Sequence, residues 1–204
     1  MDYLNTFKKI KALAETGLVY AQNGYEVERN QELVDLSKEL MAAIANEPIK
    51  AFDTYYLPPK EYPTPKVDVR ALILNEDGEI LMAKEKMDGL WSIPGGWADI
   101  GHSPSEVVVK EVEEETGIEA KVERVLAIYD KRCHPHPPQP WYVYKIMFLC
   151  IPTGGKLRGN FDIDEARWFN LNSLPPLSTD RILESQIKEL VHLANHPEFP
   201  VVCD

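Results

Sequence analysis

The chain has 204 residues and a formal net charge of −11, from 22 Lys and Arg against 33 Asp and Glu. Its 44% apolar content excludes a disordered chain, and its length fits one large domain or a domain with an appendage. The acidity excludes a general nucleic-acid-binding surface, which leans on Lys and Arg, but not a small phosphate-bearing ligand held through a bound cation.

Three cysteines, Cys133, Cys150 and Cys203, are an odd number without C-x-x-C spacing. Free thiols in a reducing cytoplasm are the simplest expectation, and zinc is not expected. No basic and apolar leader precedes the first elements, and no run of about 18 apolar residues offers a membrane span.

Residues 1–46 read as a helical hairpin. Leu4, Phe7, Ile10 and Leu13 recur at helical spacing, as do Leu33, Leu36, Leu40 and Ile44, with the turn signal Asn23-Gly24 between them. Such a hairpin has too little core to stand alone, so it is expected to pack on the main domain, on a second copy, or both. A homodimer is the expected assembly. Residues 47–66 carry Pro48, Pro58, Pro59, Pro63 and Pro65, a semi-rigid linker with Tyr55, Tyr56 and Tyr62 to pin it.

The main domain is expected over 67–204. Strands are predicted at 67–74 and 79–84 around a hairpin turn at 75–78, then at 90–93, 121–129, 141–151 and 167–169. A closing helix is predicted over 179–195, where Ile182, Ile187, Leu190, Val191 and Ala194 recur.

Between these strands lies the most informative stretch, 96–118. Ser103, Pro104 and Glu106 spell a capping box with proline at the first helical position, and Gly117 is placed to end the helix in a left-handed turn. On that helix Glu111, Glu114 and Glu115 fall within roughly a third of a turn. Like charges crowded on one face repel, so the spacing is not chosen for the helix's own stability. The cluster reads either as a solvated acidic face or as a site for a hard divalent cation. Pro94-Gly95-Gly96 precedes it, a loop whose backbone can come close to a ligand.

This segment resembles the Nudix signature, G-x5-E-x7-R-E-U-x-E-E-x-G-U, with U a bulky apolar residue. Gly96, Glu111, Val112, Glu114, Glu115, Gly117 and Ile118 match it; His102 stands where the family has its first glutamate and Lys110 where it has arginine. The resemblance covers about residues 67–197. It implies an α/β (α+β) fold, a mixed β-sheet sandwiched between helices, here with a small N-terminal helical hairpin. The hairpin, G-G-W-A-D-I-G and K-R-C-H-P-H-P-P together resemble a Gram-positive bacterial subgroup that includes CDP-choline pyrophosphatases.

The resemblance implies hydrolysis of a nucleoside diphosphate conjugate, such as CDP-choline to CMP and phosphocholine, with ADP-ribose as the alternative. A third reading, a nucleotide-binding or regulatory module without turnover, rests on the two departures. Mg²⁺, with Mn²⁺ as a substitute, is the expected cofactor, held by Glu111, Glu114 and Glu115, with Lys110 keeping the arginine's charge but not its fork. His102 reads as a surface residue, a substrate contact or a base. Substrate contacts are expected from Gly95 and Gly96, from Arg70 unless it is a surface ion pair, and from Trp97 and Tyr142 by stacking unless they only pack. His134 and His136, in a proline-stiffened loop, are a wall near the substrate, part of a plain rigid loop, or a metal pair. The general base is sought in a loop before Trp168, at Asp164 or Glu165, with Asp162 beside them.

Overall fold

The computed structural model describes residues 3–45, 62–99 and 101–204, in two compact units, Met1–Pro65 and Lys66–Asp204. Of the 47–66 linker only residues 62–66 are described; Pro48, Tyr55, Tyr56, Pro58 and Pro59 lie outside the described residues. Among the described residues no helix is long and apolar enough to cross a membrane.

The first unit is the expected hairpin, α1 (Tyr3–Tyr20) and α2 (Gly24–Ala45). Asn23 caps α2, its side chain accepting from the Glu26 N–H at 3.0 Å. The hairpin's contents differ from expectation. Leu4 and Phe7 pack on buried Met41 and Ala42, but Ile10 and Leu13 face outward. The reason is angular: a strict three-residue step drifts by about 60° each time, so Leu13 ends opposite Leu4. Leu33, Leu36, Leu40 and Ile44 mix three- and four-residue steps and hold one stripe, and all four are exposed in the single chain. Also buried are Lys8, Lys11, Ala14 and Glu15 of α1 and Val34 and Ser37 of α2. Lys11 and Glu15 pair with each other.

The second unit holds two sheets. β1 (Lys66–Ile73) is followed by β2 (Ile80–Glu85), β3 (Trp91–Ser92) and β4 (Gly95–Trp97). Then come α3 (Pro104–Thr116), β5 (Ile118–Asp130), a 3-10 turn at Lys131–Cys133, β6 (Val143–Gly155), β7 (Ile163–Phe169), α4 (Glu184–Asn195) and β8 (Val202–Cys203). The mixed sheet runs β4-β1-β6-β5-β8, with β1 parallel to β6 and β5 parallel to β8; the antiparallel sheet runs β3-β2-β7.

The predicted 67–84 hairpin is therefore divided. The turn forms, with Asn75 accepting from the Asp77 and Glu79 N–H groups, but beyond the Leu74–Ile80 bridge β1 and β2 enter different sheets. One apolar layer, including Val69, Ala71, Ile73, Val108, Val112 and Phe148, joins the mixed sheet to α3. A second, including Leu72, Met82, Leu126, Met147, Ile187 and Leu190, fills the space under α4. β1 alternates between them, which sends Asp68 and Arg70 to the side opposite α3. The three cysteines are unpaired: Cys150 is buried, Cys133 and Cys203 exposed.

Candidate active site

α3 begins and ends where the local sequence dictates. Ser103 Oγ accepts from the Glu106 N–H at 3.3 Å, Glu106 accepts from the Ser103 N–H at 2.7 Å, and Gly117 sits at φ 73°. Val108 and Val112 lock the helix on the sheet, and this fixes where the acids point. Glu111 and Glu115 are about 40° apart around the axis and share one flank; Glu114 lies about 60° to the other side of Glu111. The expected trio is thus divided. Glu111 and Glu115 are partly buried, whereas Glu114 is exposed and lies 3.9 Å from Lys110.

The glycines explain how the pair approaches the sheet. Gly95 and Gly96 are in β4, a strand rather than the expected loop, opposite Arg70 and Val69 of β1. The Gly95 N–H donates to Glu115 Oε2 at 2.9 Å. A Cβ on Gly95 would stand 2.1 Å from the Val69 carbonyl oxygen, at a φ of 139°; one on Gly96 would stand 3.1 Å from Glu111 Oε1. Gly95→Ala is therefore expected to cost about 2 kcal/mol or more, by strand separation and backbone strain. Thermal unfolding would show it as a lower Tm, with activity lost alongside.

The two carboxyls are partly desolvated. Burial, opposed by Arg70 and the Gly95 N–H, pushes Glu115 up to about 8. Burial, then the Glu114 charge, also raises Glu111. Glu85, at the end of β2, was not anticipated. It is 8% exposed, pairs with Arg181 at 2.9 Å, and is raised by burial. Its charge acts on Glu115, so it belongs to the same cluster. Nothing local in the sequence marks it; only strand pairing brings it there.

Other expected site residues are placed differently. Lys110 is exposed and reaches Asp99 at 3.4 Å, and Asp99 in turn repels Glu111. His102 is exposed. Arg70 is 6% exposed and turned inward to Asp68, which corrects the expectation of an open phosphate contact. Trp97 is exposed, and the Lys66 ammonium lies 5.4 Å from its ring centre and 4.1 Å from that of Trp141. Asp164 and Glu165 are in β7, not in a loop, because that strand begins four residues earlier than predicted. Glu165 is engaged by Arg167 at 2.8 Å. Asp162, in the preceding turn, is the acid of that group whose charge reaches Glu85.

His134 and His136 each have a partner within the protein. His134 Nε2 is 2.9 Å from Asp204 Oδ2, and its ring packs edge-on against Tyr129. His136 Nδ1 donates to the Thr179 carbonyl at 2.6 Å, and burial pushes it down to about 4, so it is neutral at pH 7.

A model for a NUDIX domain matches residues 64–190, more than half of the chain. The chain belongs to the Nudix family. A second model, for a UDP-X-like N-terminal oligomerisation domain, matches residues 1–55 of this Nudix hydrolase. The Bacillus subtilis (strain 168) protein named "Putative ADP-ribose pyrophosphatase YjhB" is 40% identical over 99% of this chain and 97% of its own. A crystal structure of a UDP-X diphosphatase matches at 30% identity and TM-score 0.65, covering 100% of this chain and 98% of that one. A Streptococcus suis ADP-ribose pyrophosphatase matches at 38% identity and TM-score 0.63, over 69% of this chain and 100% of its own.

Members of this family use divalent cations, and the donor set here fits one. It is all carboxylate, partly desolvated and mutually repelling, as an oxygen-ligand site for a hard cation should be. Among the described residues no three His, Cys, Asp or Glu side chains converge enough to hold an ion alone.

Proposed function

We propose that this Nudix hydrolase cleaves the diphosphate bridge of a nucleoside diphosphate conjugate. CDP-choline, giving CMP and phosphocholine, is the first candidate and ADP-ribose the second. The observation that carries the reading is the pair of desolvated carboxyls, Glu111 and Glu115, lying against the Gly95-Gly96 backbone. The names of the Bacillus subtilis and Streptococcus suis relatives support ADP-ribose as the alternative.

Glu111 and Glu115 hold the cation, Mg²⁺ or Mn²⁺, with Glu114 at the exposed margin. When bound, it neutralises phosphate charge and supplies a water of lowered pKa. Gly95 and Gly96, lacking side chains, let the two carboxyls lie against the sheet. Lys110 holds Asp99 and Glu114 at the outer edge. The proton acceptor is assigned to the Glu85 carboxylate, with Asp162 beside it, rather than to Asp164 or Glu165. The exposed leucine stripe of α2 and the oligomerisation-domain match support a homodimer joined through the hairpin. Three unpaired thiols suit a cytoplasmic enzyme.

Product analysis tests the substrate. With Mg²⁺, the enzyme is expected to yield CMP from CDP-choline or AMP from ADP-ribose, and EDTA should abolish both. Nucleotide binding without turnover in Mg²⁺ or Mn²⁺ would overturn hydrolysis. Turnover of ADP-ribose alone would remove CDP-choline.

A further inference from the structure

Beneath the carboxylates, on the side of β1 facing away from α3, lies a charged network that the reaction chemistry does not use. Asp68 and Arg70 are two residues apart on β1 and share one side of it. Arg70 Nε donates to both Asp68 oxygens, at 3.1 and 3.2 Å, and Nη2 lies 3.1 Å from Oδ1. Nη1 donates to the Ile93 carbonyl at 3.2 Å, at the entrance to the glycine pair. Across the parallel β1–β6 ladder Asp68 stands opposite Lys145, which also binds it. Asp68, Arg70 and Lys145 are 4%, 6% and 2% exposed. A buried ion network this complete is costly to desolvate and is weak evidence for stability alone.

Its place in the fold suggests its use. Arg70 is opposite Gly95, the residue whose N–H holds Glu115. Its charge is felt by Glu85, Glu111 and Glu115, and acts against the burial that raises each of them. Lys110, at the helix position where the signature has arginine, is exposed and occupied with Asp99 and Glu114.

We propose that Arg70, clamped by Asp68 and Lys145, is a positioning residue that holds Glu115 and the Gly95 backbone in place from the sheet. This inference rests on the proposed carboxylate cation site. Asp68 fixes the guanidinium plane, Lys145 fixes Asp68, and Arg70 gives the desolvated carboxyls their common counter-charge. Arg70 touches neither substrate nor cation.

The test uses the full chain with Arg70→Lys, Asp68→Asn and the double variant. Arg70→Lys keeps the charge but loses the fork; Asp68→Asn keeps the guanidinium but frees it. In both, kcat is expected to fall about 10²-fold through misplacement of the carboxyls. KM should stay within about threefold of wild type. The double variant should be no worse than the weaker single one, because both act through one group. Without cation, exchange of the Gly95 amide should speed up about tenfold while the Val108 and Val112 amides stay protected. A raised KM at unchanged kcat would make Arg70 a substrate contact and overturn the proposal. Wild-type kcat per folded molecule with a lowered Tm would reduce the network to a structural one. Should Arg70→Lys not fold, Asp68→Asn decides. Full turnover by Glu115→Gln would remove the cation-site reading itself, and so separates that failure from this one.

Discussion

Glu115→Gln is expected to lower kcat by about 10³-fold, roughly 4 kcal/mol of barrier, while the protein stays folded. The amide nearly matches the carboxyl in shape and can still accept from the Gly95 N–H, but it cannot neutralise a divalent ion. Without cation the same change should stabilise the protein. The Glu115 carboxyl is raised from 4.5 to about 8 in the folded state, chiefly by burial. A raised carboxyl contributes its full stability below its unfolded pKa and loses it as pH rises through the folded value. The wild-type protein without metal is thus expected to lose stability between about pH 4.5 and 8, with Glu111 adding in the same direction. Glu115→Gln should flatten much of that slope, and Mg²⁺ should raise the wild-type Tm most above pH 8. Thermal melts across pH in EDTA and in Mg²⁺ read both effects. Equal kcat for variant and wild type would remove Glu115 from the site.

Leu36→Asp with Leu40→Asp is expected to convert a dimer into single chains. The two leucines, with Leu33 and Ile44, form one stripe on α2 and are 46% and 44% exposed in the single chain. Burying a leucine fully is worth about 1.5–3 kcal/mol, and symmetry places each one in the interface twice. Even half-effective burial makes the loss about 4 kcal/mol, or roughly a thousandfold in dissociation constant. The folded hairpin should survive, because its internal contacts use Val34, Ser37 and Met41. Light scattering at micromolar concentration reads the mass. A wild-type chain that is already single at that concentration would overturn the assignment of this face.

What was legible in the sequence was local. Ser103, Pro104, Glu106 and Gly117 each act within one helical turn, so α3 could be bounded from sequence. The apolar residues of 67–74 likewise place β1 to within a residue at each end. What was not legible depends on partners far along the chain. Glu111 and Glu115 part from Glu114 only because Val108 and Val112 set the helix's rotation on the sheet. Gly95 and Gly96 read as a loop because glycine carries no strand preference, and their pairing comes from β1. Asp164 and Glu165 read as loop acids because their charges mask a strand that β2 supplies with a partner. Lys145 lies 77 residues from Asp68, and no spacing rule connects them.

Cys150 is 1% exposed, and burial pushes its thiol up to about 12. Alkylating reagents need the thiolate, so at neutral pH they should pass it by and take Cys133 and Cys203. Those two flank one corner of the mixed sheet, where His134 meets Asp204. A pair of maleimide dyes or spin probes would therefore report from that corner without any cysteine having to be engineered.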